Sequence, residues 1–360
     1  MEIETFNVPP EVLNCVKIET AFMHIDHGDY NGAVNLLLEY GDIPFLCYEI
    51  SYFVRIRPFL LKEISNVCVE ILKKLNDHDT FKQRLMFCCF NGSFCLIYQL
   101  YRQGIYRIDE IIKGIEFRPL ISAAIYFARD IPDFLEYASR LDNYLKWASF
   151  MPELFGDNYQ LLDEYIECHW KKNTIGYSLK YDDLNMFQQF QIIPGFSWEN
   201  EIEWSQFEPT LIPKSRSPLS VSALFSAVKV FRFALLNGAK VNIEVLKSSL
   251  HGGNYDIIHF SENLSSSISL LLFEAGKFWR NDLFDWIKEK NPEVNIYDSQ
   301  MAAFSLRNIL YQILNGGDIN QKSLFNDTPL IKLASMGSLP IIQYFVELGA
   351  QVNTYNIVNA

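Results

Sequence analysis

Thr328-Pro329-Leu330-Ile331-Lys332-Leu333-Ala334-Ser335-Met336-Gly337, continued by Ser338-Leu339-Pro340-Ile341-Ile342-Gln343-Tyr344-Phe345-Val346-Glu347-Leu348-Gly349-Ala350-Gln351-Val352-Asn353, is the stretch that decides the fold. Thr328 is a helix N-cap, and Pro329 stands at the first helical position, where its missing N–H costs nothing. Leu330, Leu333 and Ala334 recur at helical spacing, the small Ala leaving room for a neighbour. Gly337 permits a tight turn, and Pro340 opens a second helix that is expected to bury Ile341, Ile342, Phe345 and Val346. Gly349 can take positive φ past the end of that helix, and Val352-Asn353 leads into a projecting β-turn, a finger, toward a following unit. The predicted order is helix, turn, helix, finger.

The same pattern occurs earlier in Ser217-Pro218-Leu219, Ala223 and Asn237-Gly238-Ala239-Lys240-Val241-Asn242, each residue 111 positions before its counterpart. Between these copies lie Lys290-Asn291-Pro292-Glu293-Val294-Asn295 and Asn315-Gly316-Gly317-Asp318-Ile319-Asn320. The closing Asn of the second is 33 residues before Asn353 and 25 after Asn295. Two shorter hairpins fit the remaining interval, around Gly252-Gly253-Asn254 and Asn281-Asp282-Leu283-Phe284-Asp285-Trp286. The count from 217 to 353 is therefore about five units, the last the most regular.

The last unit closely resembles an ankyrin repeat, a helix-turn-helix module that buries its apolar face only by stacking on its neighbours, and the middle units read as worn copies of it. Ile331 stands where such a repeat usually has His, which removes a polar contact between adjacent turns, and Ser226 replaces the turn glycine; looser loops are expected from both. A wider likeness is carried by Asp182-Asp183-Leu184, Glu203-Trp204-Ser205-Gln206-Phe207-Glu208-Pro209 and Phe231-Arg232-Phe233-Ala234-Leu235-Leu236-Asn237-Gly238-Ala239. In these the chain is similar to the large ankyrin families of parasitic protists, whose repeats follow a helical amino-terminal region of unknown function. That resemblance implies an intracellular or host-directed binding protein with no catalytic residue to carry over.

Upstream, Asn91-Gly92 through Gly104 keeps the Gly-to-Gly spacing of 12 seen between Gly337 and Gly349. Arg118-Pro119-Leu120-Ile121-Ser122-Ala123-Ala124 opens like a repeat, and His27-Gly28 through Gly41 closes like one. Helical hairpins are expected from 8 to 190, but period-3.6 amphipathicity is common to every helical solenoid and leaves open whether they are ankyrin repeats. The stretch 191–216 interleaves Pro194, Pro209 and Pro213 with Phe196, Trp198, Trp204 and Phe207, which forbids a long helix and points to a connector packed against its surroundings. The expected organisation is a helical region over 1–190, the connector 191–216, repeats over 217–353 and a tail over 354–360. The fold class is all-α, an α-solenoid of helix-turn-helix repeats preceded by an α-helical hairpin region.

The 360 residues carry 43 Asp and Glu against 31 Lys and Arg, a formal charge of −12, and the only basic doublets are Lys73-Lys74 and Lys171-Lys172. Nucleic acid is not an expected partner, since no cluster could neutralise several phosphates. No apolar stretch is long enough for a spanning segment and the first residues lack a signal-type apolar region, so no membrane insertion and an intracellular, cytoplasmic location are expected. Seven cysteines, an odd number set among apolar residues, read as reduced core thiols.

Candidate chemistry is sparse. His24, Asp26, His27 and Asp29 combine imidazole and carboxylate, yet at a helix end they form a solvated turn more simply than a zinc site. Cys88, Cys89 and Cys95 lack the paired spacing of a zinc knuckle, and no His belongs to a nucleophile motif. Gly252-Gly253 and Gly316-Gly317 precede no phosphate-loop Lys. No enzyme activity, cofactor or metal is expected. A protein partner of unnamed identity is, bound through finger turns and the concave face, with Ser323, Leu324, Phe325, Asn326, Tyr297, Asp298 and Tyr355 as candidate contacts. The alternative is a structural or self-assembling element, since no polar capping repeat follows Asn353; the oligomeric state stays open.

Overall fold

The computed structural model describes residues 7–26, 28–39, 42–90, 92–261, 268–291, 305–322 and 328–352. Among them every regular element is helical, and the sole strand-like contact is an isolated parallel bridge between Leu120 and Asp142. The protein is all-α. No helix among the described residues is long and apolar enough to cross a membrane.

The chain divides into two compact units, the first made of 1–20, 178–202 and 213–360 and the second of 21–177 and 203–212. The Pro- and aromatic-rich stretch 191–216 is therefore shared. In the first unit Trp198 Nε1 donates to the Asn237 carbonyl at 2.9 Å and its ring stacks 6.0 Å from Phe187. In the second, Phe207 is buried against Tyr165, Trp147 and Tyr126, with ring centroids 5.0, 5.6 and 5.6 Å away. Glu208 accepts from Trp170 Nε1 at 2.7 Å and from the Thr210 hydroxyl at 2.7 Å. Residues 203–212 are thus a piece of the second unit's core, the Glu208 carboxylate satisfied by the Trp170 indole N–H and the Thr210 hydroxyl as burial requires.

The first unit holds four complete helix pairs among the described residues. They are Pro218–Leu224 with Val228–Leu236, Ile243–Gly252 with Tyr255–Ser261, Ile268–Lys277 with Asn281–Lys290, and Pro329–Met336 with Leu339–Glu347. Helix Leu306–Leu314 follows the third pair; the rest of that fourth unit lies outside the described residues. The 111-residue register of the sequence is present in the backbone. Val228–Leu236 and Leu339–Glu347 begin and end 111 positions apart, and so do their exit glycines, Gly238 and Gly349, both at positive φ.

One turn geometry recurs. The second residue before each second helix sits in the left-handed region: Ser226, Gly253, Trp279 and Gly337, at φ of 57°, 72°, 53° and 85°. Gly28 and Gly92 stand at the same place before Tyr30–Glu39 and Phe94–Arg102, and Asp182 before Leu184–Gln191. A left-handed residue reverses the chain in the fewest steps, and Gly does so without Cβ strain. Packing then joins successive pairs. Leu219, Ala223, Phe231 and Ala234 of the first pair meet Val245 and Ile257 of the second, whose Leu250 and Ile258 meet Leu272, Ala275, Leu283 and Phe284 of the third.

Several expectations change in detail. In the last pair Tyr344 is buried and Val346 is 41% exposed, so the inner face runs through Ile341, Tyr344 and Phe345. Ala334 is exposed, whereas its counterpart Ala223 is fully buried. At the turns, other side chains supply polar contacts. Ser226 Oγ donates to the Gly252 carbonyl at 3.0 Å, and Arg280 Nη2 donates to that carbonyl at 2.8 Å and to the His251 carbonyl at 3.2 Å. Asp182 accepts from the amides of Lys229 and Val230 at 3.2 and 3.0 Å. Turn-to-turn polar contacts persist with different residues.

In the second unit the helices run Tyr30–Glu39, Ile43–Ile56, Leu61–Lys74, His78–Cys89, Phe94–Arg102 and Ile108–Phe117, and each of the first four packs on the next helix but one. The repeat-like opening at Pro119 does not continue as a hairpin: Ile121–Ala124, Phe134–Ala138 and Tyr144–Ala148 are single short turns. Helix Met151–Cys168 is interrupted at Gly156–Tyr159, where φ is positive at Asp157, Asn158 and Tyr159. All seven cysteines are buried thiols, and burial pushes Cys68 up to about 12 and Cys88 up to about 11, which leaves them unreactive.

Ser226 supplies a test. Ser226→Ala keeps the left-handed strain and loses the bond to Gly252, so urea unfolding is expected to show a loss of about 1–2 kcal/mol. Ser226→Gly loses the bond but relieves the strain, and is expected to remain within about 1 kcal/mol of the parent.

Candidate functional site

The seven residues singled out from the sequence, Ser323, Leu324, Phe325, Asn326, Tyr297, Asp298 and Tyr355, all lie outside the described residues. The positions flanking the first four are held by hydrogen bonds. Asn320 Oδ1 accepts from the Gln351 amide at 2.8 Å and its Nδ2 donates to the Gly349 carbonyl at 3.3 Å, which ties one finger to the next. Thr328 Oγ1 accepts from the Ile331 amide at 3.4 Å, capping Pro329–Met336 as its sequence requires. The finger segment 323–327 is thus bounded by two anchored residues.

Asn242, which the spacing places in a finger, is the N-cap of Ile243–Gly252 and accepts from Glu244 and Val245 amides, both at 3.0 Å. The recurrent Asn therefore has two structural uses, cap and finger tie. His24 Nδ1 meets Asp29 Oδ2 at 3.1 Å on the surface, and Asp29 is held below its ordinary range by bonds from the Gly32 amide and from His24. No group of three or more metal-ligating side chains is present among the described residues.

A groove not foreseen from the sequence lies in the second unit between His78–Cys89 and Ile108–Phe117, with a volume of about 640 Å³. Phe87 and Phe117, 44% and 76% exposed, form one rim with ring centroids 6.3 Å apart. The Arg84 guanidinium lies 5.7 Å from the Phe87 ring centroid, within cation–π range. Gly114 brings the helices close: a Cβ there would lie 2.2 Å from Met86 Sδ. An ion pair in the lining, Lys82 Nζ to Glu110 Oε1 at 2.7 Å, joins the two helices, with the buried Tyr106 hydroxyl donating to the Lys82 carbonyl at 2.7 Å.

Glu110 also accepts from the Arg107 amide at 2.7 Å, capping its own helix. Burial raises its carboxyl, but the bonds from Lys82 and Arg107 outweigh that and hold it below the ordinary 4.5. Twenty-eight residues separate Lys82 from Glu110, so nothing in the linear pattern pairs them; only the Arg107-to-Glu110 spacing hinted at a cap. The groove can receive apolar side chains between charged walls, a binding geometry. Neither a protein-family model nor a curated protein matches the chain.

A carboxyl depressed in the folded state stabilises above its unfolded value and stops doing so as pH falls through the folded one. Glu110→Gln is therefore expected to lower unfolding stability by about 1 kcal/mol at pH 7 and to leave it unchanged at pH 3. Urea titrations at the two pH values check this; an equal loss at both would contradict the assignment.

Proposed function

We propose that the chain is an ankyrin-like array of helical hairpins that acts as a non-enzymatic adaptor, holding a protein partner through finger turns and the concave face between about 217 and 355. The observation that carries this reading is the finger tie from Asn320 to Gly349 and Gln351. Asn320 is thereby held three residues before the proposed contacts Ser323, Leu324, Phe325 and Asn326, and pre-organisation of a surface lowers the ordering cost of binding. Tyr297, Asp298 and Tyr355 belong to the same proposed surface. The repeated backbone register and the shared apolar seams support a scaffold whose rigidity comes from neighbours rather than from one core. With a formal charge of −12, a basic or mixed protein surface is the complementary partner, and nucleic acid is not. The likeness to protist ankyrin families belongs to this proposal and places the partner inside the cell or in a host.

The rival reading, a self-assembling element, has less support. It leaned on an uncovered last pair, and in the first unit the buried thiol of Cys15 lies 3.7 Å from Ser338 Oγ, at the turn of that pair.

The test is recovery of bound proteins by the full chain and by a Leu324→Ala, Phe325→Ala variant of matching circular dichroism. The variant is expected to lose the recovered partners by tenfold or more, and equal recovery would remove the finger surface. Light scattering over a wide concentration range separates the rival, for which a concentration-dependent mass is required.

A further inference from the structure

Each aromatic ring on the rim of the groove between His78–Cys89 and Ile108–Phe117 has a cation one turn before it on its own helix, Arg84 before Phe87 and Lys113 before Phe117. Neither cation is paired with a carboxylate among the described residues. The acidic residues nearest Lys113 in its helix are engaged elsewhere. Asp109 accepts from the Arg107 guanidinium at 3.0 and 2.9 Å, Glu110 pairs with Lys82 at 2.7 Å, and Glu116 lies within electrostatic reach of Tyr137. The Arg84 guanidinium rests on the Phe87 ring, and its Nε is buried with no hydrogen-bond partner among the described residues. Asp79, the other carboxylate of the lining, stands in the first turn of its helix, about 12 Å along the axis from Phe87, where the helix dipole favours it. In a chain with 43 Asp and Glu against 31 Lys and Arg, the Phe87 and Phe117 end of the groove is a local reversal of charge.

The same end is apolar. The two rings, 44% and 76% exposed, lie 6.3 Å apart and bring the two cation and ring pairs together. Met86 lies against Gly114, whose missing Cβ leaves the sulfur its place. Gly in a helix interior is less stable than Ala, so its use here is space. A methionine floor repacks readily around different apolar side chains.

We propose that this groove binds an acidic segment of a partner protein, with an aromatic or leucine side chain packed on Met86 and the Phe87 and Phe117 rings and flanking carboxylates paired with Lys113 and Arg84. Burial of the rings supplies affinity, and the charge selects the partner. A basic segment would set like charges against Lys113 and Arg84, and an uncharged one would cover them without a counter-charge. The site lies in the second unit and does not rest on the finger-turn reading.

Fluorescence anisotropy of the full chain with dye-labelled peptide pools tests it. One pool carries a single Phe, Trp or Leu flanked by Asp and Glu, a second has Lys in place of the acidic residues, and a third has Ala in place of the apolar one. The acidic apolar pool is expected to bind about tenfold or more tighter than either of the others, and less tightly as salt is raised. Phe117 and Lys113 are exposed, so their substitution leaves the helix packing intact. Phe117→Ala is expected to weaken that binding about tenfold, and Lys113→Glu to weaken it while strengthening the basic pool. Equal binding of the acidic and basic pools, preference for the basic one, unchanged binding by Phe117→Ala, or no binding of the acidic pool at about 1 mM overturns the proposal. So does a mass that rises with concentration in the parent but not in Phe117→Ala, since a second copy then fills the groove.

Discussion

The fold depends on a backbone constraint, a left-handed residue two places before each second helix. It turns the chain back within three residues, so the paired helices must lie side by side and leave one apolar face to the next pair. Where Gly occupies the place the geometry is free of strain; Ser226, Trp279 and Asp182 adopt it against the preference of L residues. Each has a compensation on the same site. Ser226 bonds to Gly252, Asp182 caps Val228–Leu236, and Trp279 is among the largest fully buried side chains.

Those compensations also link neighbouring pairs. Asp182 reaches the first pair, Ser226 the carbonyl of Gly252, and Arg280 the same carbonyl from the other side. Gly253 has no room for a Cβ because the Arg280 guanidinium lies over it. A line of polar contacts thus runs along the turns while apolar seams run beneath, and the ends of the helices are satisfied by the adjoining unit. The finger tie at Asn320 does the same on the opposite ends of the helices.

The helices and their pairing were legible because Pro, Ser or Thr opens them and Gly closes them at a constant offset. Ser226 was placed by its register with the turn glycine, whereas the left-handed Trp279 was not foreseen, since its conformation is imposed by tertiary contacts and has no local signature. The short turns after Pro119 misled because a Pro-Leu opening is also compatible with a single helical turn. Val346 and Tyr344 exchanged places because either lies on the margin of a 3.6-residue stripe. The groove between His78–Cys89 and Ile108–Phe117 was invisible: its ion pair joins residues of different helices, and exposed Phe87 and Phe117 resemble core residues in a linear pattern. Glu19, whose buried carboxyl accepts from Ser305 Oγ at 2.8 Å and from the Leu306 amide, was hidden for the same reason, Ser305 being 286 residues away.

Gly28 tests the constraint most directly, because it stands two places before Tyr30–Glu39, its φ is +80° and a Cβ there would touch nothing within 4 Å. Any effect of Gly28→Ala on unfolding free energy therefore reports backbone conformation alone. The left-handed turn predicts a loss of about 1–2 kcal/mol. If the chain there were instead right-handed, Ala would stabilise by about 0.5–1 kcal/mol, and that gain would contradict the account.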